Sequence, residues 1–154
     1  MSANFAYQNT RDLEFIVQEW LPTEEIFSYP RFADYYSKDD VKAFLAPVLK
    51  MSKEVIEPTN DDGEKNPVRF ENGQVKTPPS FGPLFAKLQQ EGWGTSNIDT
   101  SEDAMVMPHI LHAMVWELFM AANPTFAPYI ILTSGAAGLI QSFGSPKLKE
   151  MFLP

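Results

Sequence analysis

The sequence has no cysteine and only 2 histidines among its 154 residues. Disulfides, thiolate nucleophiles and cysteine-based metal sites are excluded, and a reducing, cytoplasmic location is expected. Cations are scarce as well: 12 Lys and Arg face 20 Asp and Glu, for a net charge of -8. Such a chain repels phosphate backbones and anionic lipid, so nucleic acid is not an expected partner. Long apolar runs are missing too. The longest, residues 126–140, falls short of the ~20 residues a membrane span needs and is interrupted by Pro128, Thr133 and Ser134. The opening MSANFAYQNTRDLEF has no basic n-region followed by an apolar h-region, so no secretory signal is expected. The sequence also shows no internal repeat, no heptad pattern, no glycine-rich phosphate loop after a strand and no Ser-His-acid arrangement.

What is present is a helix-forming pattern with enough apolar content, 44%, to build a core. RDLEFIVQEWL sets Leu13, Ile16, Val17 and Trp20 on one stripe, with Asp12 and Glu14 near the positive end of the dipole. DDVKAFLAPVLKMSKEVIEP aligns Val41, Phe44, Leu45, Val48 and Leu49, with Asp39 as N-cap, a kink at Pro47 and an end at Pro58. The next stretch, TNDDGEKNPVRFENGQVKTPPSF, is polar and lacks helical period. TNDDGEKN reads as a solvated turn, without the ligand alternation and terminal Glu of a calcium loop. Asn72-Gly73 within VRFENGQVK specifies a type I′ hairpin near residues 68–76.

Helix resumes after Ser80, an N-cap, and carries Leu84, Phe85 and Leu88 inward until Gly92. WGTSNIDTSEDAM is a loop. PHILHAMVWELFMAA places Ile110, Leu111, Met114, Val115 and Leu118 on one face, with Trp116 and Phe119 beside it as free apolar surface inviting self-association. Asn123-Pro124 breaks that helix. A further one runs to Gly144, and Ser145-Pro146 starts the last. The fold class is therefore all-α, a helical bundle with one short hairpin.

Candidate chemistry is thin. His109 and His112 are neighbours on one helix face, Glu117 lies on the wrong side of the turn to join them, and a structural or surface role is expected for both histidines. No catalytic residue and no metal ligand set is assigned. The helix containing TSGAAGLIQSF poses the sharper question, because interior glycine costs about 1 kcal/mol against alanine. Something must be gained from Gly135 and Gly138.

The order of PPSFGPLFAKLQQEGWG, MVWELFMAANPTFAPYIILTSGAAGLI and QSFGSPKLKEMFLP resembles the N-terminal helical domain of acyl-CoA dehydrogenases. YQNTRDLEFIVQEWL and the loop IEPTNDDGEKNPVRFENGQVKTPPSF are similar to the large subgroup that includes enzymes like 3-methylmercaptopropionyl-CoA dehydrogenase, so the resemblance covers residues 7–154. It implies an N-terminal extension with a short helix over residues 1–36 and the helical domain over residues 37–154, with the family's middle β-domain and C-terminal helical domain absent. It further implies α,β-desaturation of acyl-CoA thioesters by the intact enzyme, in which a glutamate takes the α-proton, the β-hydride goes to FAD, and electron-transferring flavoprotein reoxidises the cofactor.

The base and the flavin contacts belong to the absent parts, so no FAD is expected on this chain by itself; a homo-oligomer is expected. One departure is the stretch NIDTSEDAMVMP, which lacks the family's glycine pair. By the resemblance, Ala127, Pro128, Ile131 and Gly135 line the acyl cavity, and small residues there leave room for substrate. Close packing of a neighbouring helix is the other reading for Gly135, and the favoured one for Gly138. A non-catalytic helical interaction module that keeps only the scaffold is the alternative function.

Overall fold

The computed structural model describes residues 5, 7–94 and 106–153. Among them helices dominate: α1 (Arg11–Phe15), α2 (Thr23–Phe27), α3 (Val41–Met51), α4 (Pro58–Lys65), α5 (Phe81–Gln90), α6 (His109–Ala122), α7 (Ala127–Phe143) and α8 (Pro146–Phe152), with strands β1 (Arg69–Glu71) and β2 (Gln74–Lys76) between α4 and α5. The all-α expectation holds. The loop expected over residues 93–105 lies, from 95 onward, outside the described residues.

The hairpin forms where Asn72-Gly73 predicts it. Both residues take positive φ, 52° and 76°, as a two-residue type I′ turn requires. Phe70 stands opposite Val75 and Arg69 opposite Lys76.

One hydrophobic core is shared by segments from Phe5 to Ile131. Leu13, Val17 and Phe27 from the first segment share it with Leu45, Leu88 and Leu118, all of them buried. α6 runs through the middle, packed against α3, the turn that follows it, and α7. Trp116 and Phe119, expected as free surface, are instead buried at 9% and 1% exposure. The α6 helix is apolar on nearly all sides because it is the central element, and Trp93 stacks edge-on against Phe119 with ring centroids 5.5 Å apart.

The structure departs from the sequence reading where helices widen. Ile16–Trp20 and Ser52–Ile56 are π-helical turns continuing α1 and α3. Their five-residue bonds, Leu21 N–H to Ile16 C=O and Glu57 N–H to Ser52 C=O, both measure 2.9 Å. The extra residue per turn shifts the phase of the stripe. Trp20, placed inward by a 3.6-residue period, is 69% exposed.

The second helix ends before Pro58, as expected, but TNDDGEKN is no turn. Pro58 opens α4, where its missing N–H has no intrahelical partner to lose, and the polar run is a solvated helix with no buried residue. α3 continues through Pro47, and its N-cap is Asp40 rather than Asp39. Ser80 is at the N-cap of α5, but its own side chain does not cap the helix. Asp62 of α4 reaches across, accepting from the Ser80 N–H at 2.9 Å and the Ser80 hydroxyl at 2.6 Å, and so ties the two helices together.

Candidate functional site

The junction between α6 and α7 fixes where α7 points. Asn123 is fully buried; its Oδ1 accepts from the Thr125 and Phe126 N–H groups at 3.1 and 2.9 Å, and its Nδ2 donates to Thr59 Oγ1 at 2.9 Å. One side chain thereby caps the start of α7 and anchors it to α4. At the other end the Gly144 N–H closes on the Ile140 carbonyl at 2.7 Å, and Ser145 caps α8 through the Leu148 N–H, as its sequence predicts.

Between those ends α7 has two unlike edges. Ala127, Ile130 and Ser134 are buried on the side facing α6. The opposite edge is bare: Leu132, Leu139 and Phe143 are 72%, 63% and 83% exposed. Their helical spacing puts them on one line, and α8 also leaves Leu148, Met151 and Phe152 exposed.

Of the four residues expected to line the acyl cavity, three fall along the border of these edges. Ala127 is in the core, Ile131 is partly buried and packs against that core, and Pro128 is partly exposed. Gly135 is exposed, one turn from Ile131, Leu132 and Leu139, and a Cβ built on it meets no atom within 4 Å. Among the described residues nothing is seated on Gly135. The structure thus brings Pro128, Ile131 and Gly135 beside the open apolar edge and leaves Ala127 among core side chains.

A second concavity lies at the N-terminal ends of α5 and α7. It measures about 170 Å³ and is walled by Phe81, Phe85, Phe126, Tyr129, Thr77 and Gly82. Phe81 stands edge-on to both Phe126 and Tyr129, at 5.3 and 5.9 Å between centroids. No spacing rule finds this cleft, since its walls come from two helices; the only sequence signal is the aromatic residue at each helix start. It lies below the roughly 300–1,000 Å³ of ordinary ligand pockets.

Of the two histidines, His109 is exposed and His112 is engaged within the fold. Trp116 Nε1–H donates to His112 Nε2 at 2.6 Å, and burial, followed by the proximity of His109, pushes the His112 pKa down to about 4. A neutral, acceptor-engaged imidazole is not free to exchange protons near neutral pH. Glu117 instead receives the hydroxyl of Tyr7, and that hydrogen bond, with burial and the carboxylate charge, raises the Tyr7 pKa to about 12. The Asp62 carboxyl is held below the usual range by its bonds from the Ser80 hydroxyl and N–H and from Asn66. Among the described residues no three His, Asp or Glu side chains gather as a metal site, and no helix is long and apolar enough to cross a membrane.

No family model matches the chain. Over 98% of its length it is 33% and 30% identical to two butyryl-CoA dehydrogenases of Syntrophomonas wolfei subsp. wolfei. Over 93% of its length it is 25% identical to the 3-methylmercaptopropionyl-CoA dehydrogenase of Ruegeria pomeroyi. The chain spans only 25%, 25% and 24% of those three proteins, matching their N-terminal quarter. Similarity along nearly the whole chain, joined to the all-α architecture with its hairpin, identifies it as an N-terminal domain of the acyl-CoA dehydrogenase family.

Proposed function

We propose that this chain is the substrate-lining domain of an FAD-dependent acyl-CoA dehydrogenase that desaturates acyl-CoA thioesters at the α,β bond. The observation that carries the reading is the bare apolar edge of α7, where Gly135 leaves open space between Ile131, Leu132 and Leu139. A wall that is apolar and locally without side-chain volume suits an alkyl chain, whose burial is favourable at about 0.8 kcal/mol per methylene. Pro128, Ile131 and Gly135 are the residues that meet it. Ala127, in the core, sets the seat of the helix.

The α5–α7 cleft, at about 170 Å³, is walled mainly by aromatic and apolar groups with the hydroxyl-bearing Thr77 and Tyr129 among them, and no flavin contact is assigned to it. No step of the reaction is assigned to this chain, and Glu117, engaged by Tyr7, is a scaffold residue. Acyl-CoA, electron-transferring flavoprotein and further copies of the enzyme are partners of the complete assembly, which acts in the cytoplasm.

The test is a hybrid in which residues 1–154 replace the matching quarter of the Syntrophomonas wolfei butyryl-CoA dehydrogenase. Dye reduction is followed across short, medium and long acyl-CoAs, with and without Gly135→Leu. Selective loss of kcat/KM on long chains at unchanged stability is expected. Equal loss on every substrate together with a lowered Tm would refute the cavity reading, and a folded, flavin-loaded hybrid with no acyl-CoA turnover would favour the non-catalytic module. The 154-residue chain by itself is expected to be colourless and inactive.

A further inference from the structure

The β1–β2 hairpin buries none of its side chains. All six strand residues are exposed, Phe70 at 74% and Val75 at 64%, and Val68 just ahead of β1 at 48%. An isolated two-stranded hairpin is marginal in water, so a hairpin with a bare apolar face lacks its stabilising layer. Side chains alternate across the ribbon. Val68, Phe70 and Val75 share one face, while Arg69, Glu71, Gln74 and Lys76 share the other.

Backbone geometry decides which groups remain open. In a two-residue type I′ hairpin the residues flanking the turn, Glu71 and Gln74, exchange hydrogen bonds, and so do Arg69 and Lys76 two positions on. Phe70, between them, directs its N–H and C=O away from β2, toward the free edge. That edge has a symmetric charge pattern, cation then aromatic then anion: Arg69, Phe70, Glu71.

We propose that β1 pairs with β1 of a second copy of this chain, antiparallel and centred on Phe70, to give a four-stranded sheet in the order β2-β1-β1-β2. A two-fold axis at Phe70 lets the two Phe70 residues exchange both of their outward backbone bonds. It also sets Arg69 of each copy opposite Glu71 of the other, so that opposite charges meet twice. Phe70 and Val75 of both copies then form one continuous apolar face. The β2 edge offers no such match, because the same operation would set Gln74 opposite Lys76. The contact is small beside the ~800 Å² per partner of a standard interface, so the dimer is weak, with a Kd on the order of 0.1–1 mM.

Sedimentation equilibrium on the 154-residue chain at about 0.5 mM, within that Kd range, tests this. The unaltered chain is expected to show a monomer–dimer equilibrium. Arg69→Glu and Glu71→Arg each set like charges against each other in the homodimer and should each be monomeric. Mixed in equal amounts they should dimerise again, because one variant then carries acidic side chains at both positions and the other carries basic side chains at both. The mixture separates contact between copies from the Arg69–Glu71 pair within one hairpin, 3.7 Å apart, which neither single variant retains. The double variant R69E/E71R should dimerise like the original and shows that the altered hairpin still forms. A monomeric unaltered chain overturns the proposal. So does a mixture that stays monomeric while the double variant dimerises, and so does association that survives in both single variants, which would place the contact on the α7–α8 edge.

Discussion

Gly135→Ala should stabilise this domain. The residue lies well inside α7, its φ is not in the left-handed region, and the added methyl would meet no atom within 4 Å. Neither strain nor overlap opposes the gain in helix propensity, so the full difference of about 1 kcal/mol is expected. For a domain of this size, that corresponds to a rise of roughly 2–4 °C in Tm. Gly135→Leu should behave almost alike here, since leucine is nearly as good a helix former and its side chain would extend over an unoccupied edge. Gly144 supplies the contrast. Its φ of -67° suits any residue, yet a Cβ there would be driven into the Ile140 carbonyl oxygen, and Gly144→Ala should destabilise by about 1–3 kcal/mol. Urea and thermal denaturation followed by circular dichroism give all three values. A Gly135→Ala variant with an unchanged or lowered Tm would show that the position is already packed, and the argument from open space would fail.

Three more outcomes follow from the hydrogen bonds. His112 has a folded pKa of about 4, below its unfolded value of about 6.5, so the stability it contributes is complete above pH 6.5 and is lost as pH falls toward 4; screened for its half-exposed position this amounts to about 1–2 kcal/mol. Tm measured between pH 7.5 and 4.5 should decline, and His112→Gln should flatten the decline; an equal slope in both proteins would rule the histidine out as its source. Asn123→Ala leaves the Thr125 amide without its partner and removes both the stronger bond to the Phe126 amide and the tie to Thr59, so a loss of about 2–3 kcal/mol is expected in urea titrations, and a loss under about 0.5 kcal/mol would contradict the capping role. Asp62→Ala should lower Tm at neutral pH, and because the Asp62 pKa is depressed in the fold, the gap to the unaltered protein should close as pH drops through the carboxylate range. A gap that persists at pH values below that range would mean that packing, not the carboxylate, ties α4 to α5.

The second half of the chain was readable because each of its helices is punctuated. Gly92 stops α5, Asn123-Pro124 separates α6 from α7, and Gly144-Ser145-Pro146 turns α7 into α8, each through a local rule that tertiary packing does not override. The hairpin was readable for the same reason, since Asn72-Gly73 supplies the two positive φ angles it needs. α4 was not, because a helix that buries nothing carries no apolar period, and its support is tertiary: Asp62 to Ser80, and Thr59 to Asn123. The π-helical turns left no mark either, which is why Trp20 was placed on the wrong side. Of the candidate site, the sequence suggested that small residues on α7 make room. It did not tell that Trp116 and Phe119 would be enclosed while Leu132, Leu139 and Phe143 stand open, because which side of an apolar helix is covered depends on the elements that surround it.

The π-helical turn at Ser52–Ile56 amounts to one residue inserted where α3 leads, through Glu57, into α4. Ser52, fully buried, donates its hydroxyl to the Val48 carbonyl of α3 at 2.9 Å. Taking out any one residue of the widened turn would return that stretch to α-helical phase. Everything beyond would then swing about the axis by about 100° and draw back by about 1.5 Å. Asp62 would leave Ser80, and Thr59 would leave Asn123, though neither residue had been altered. The inserted residue therefore works as a phase setting: it chooses the azimuth at which α4 meets the start of α5 and the bend before α7. A single deletion in that turn, far upstream of both helices, would misdirect the open edge that the substrate is proposed to meet.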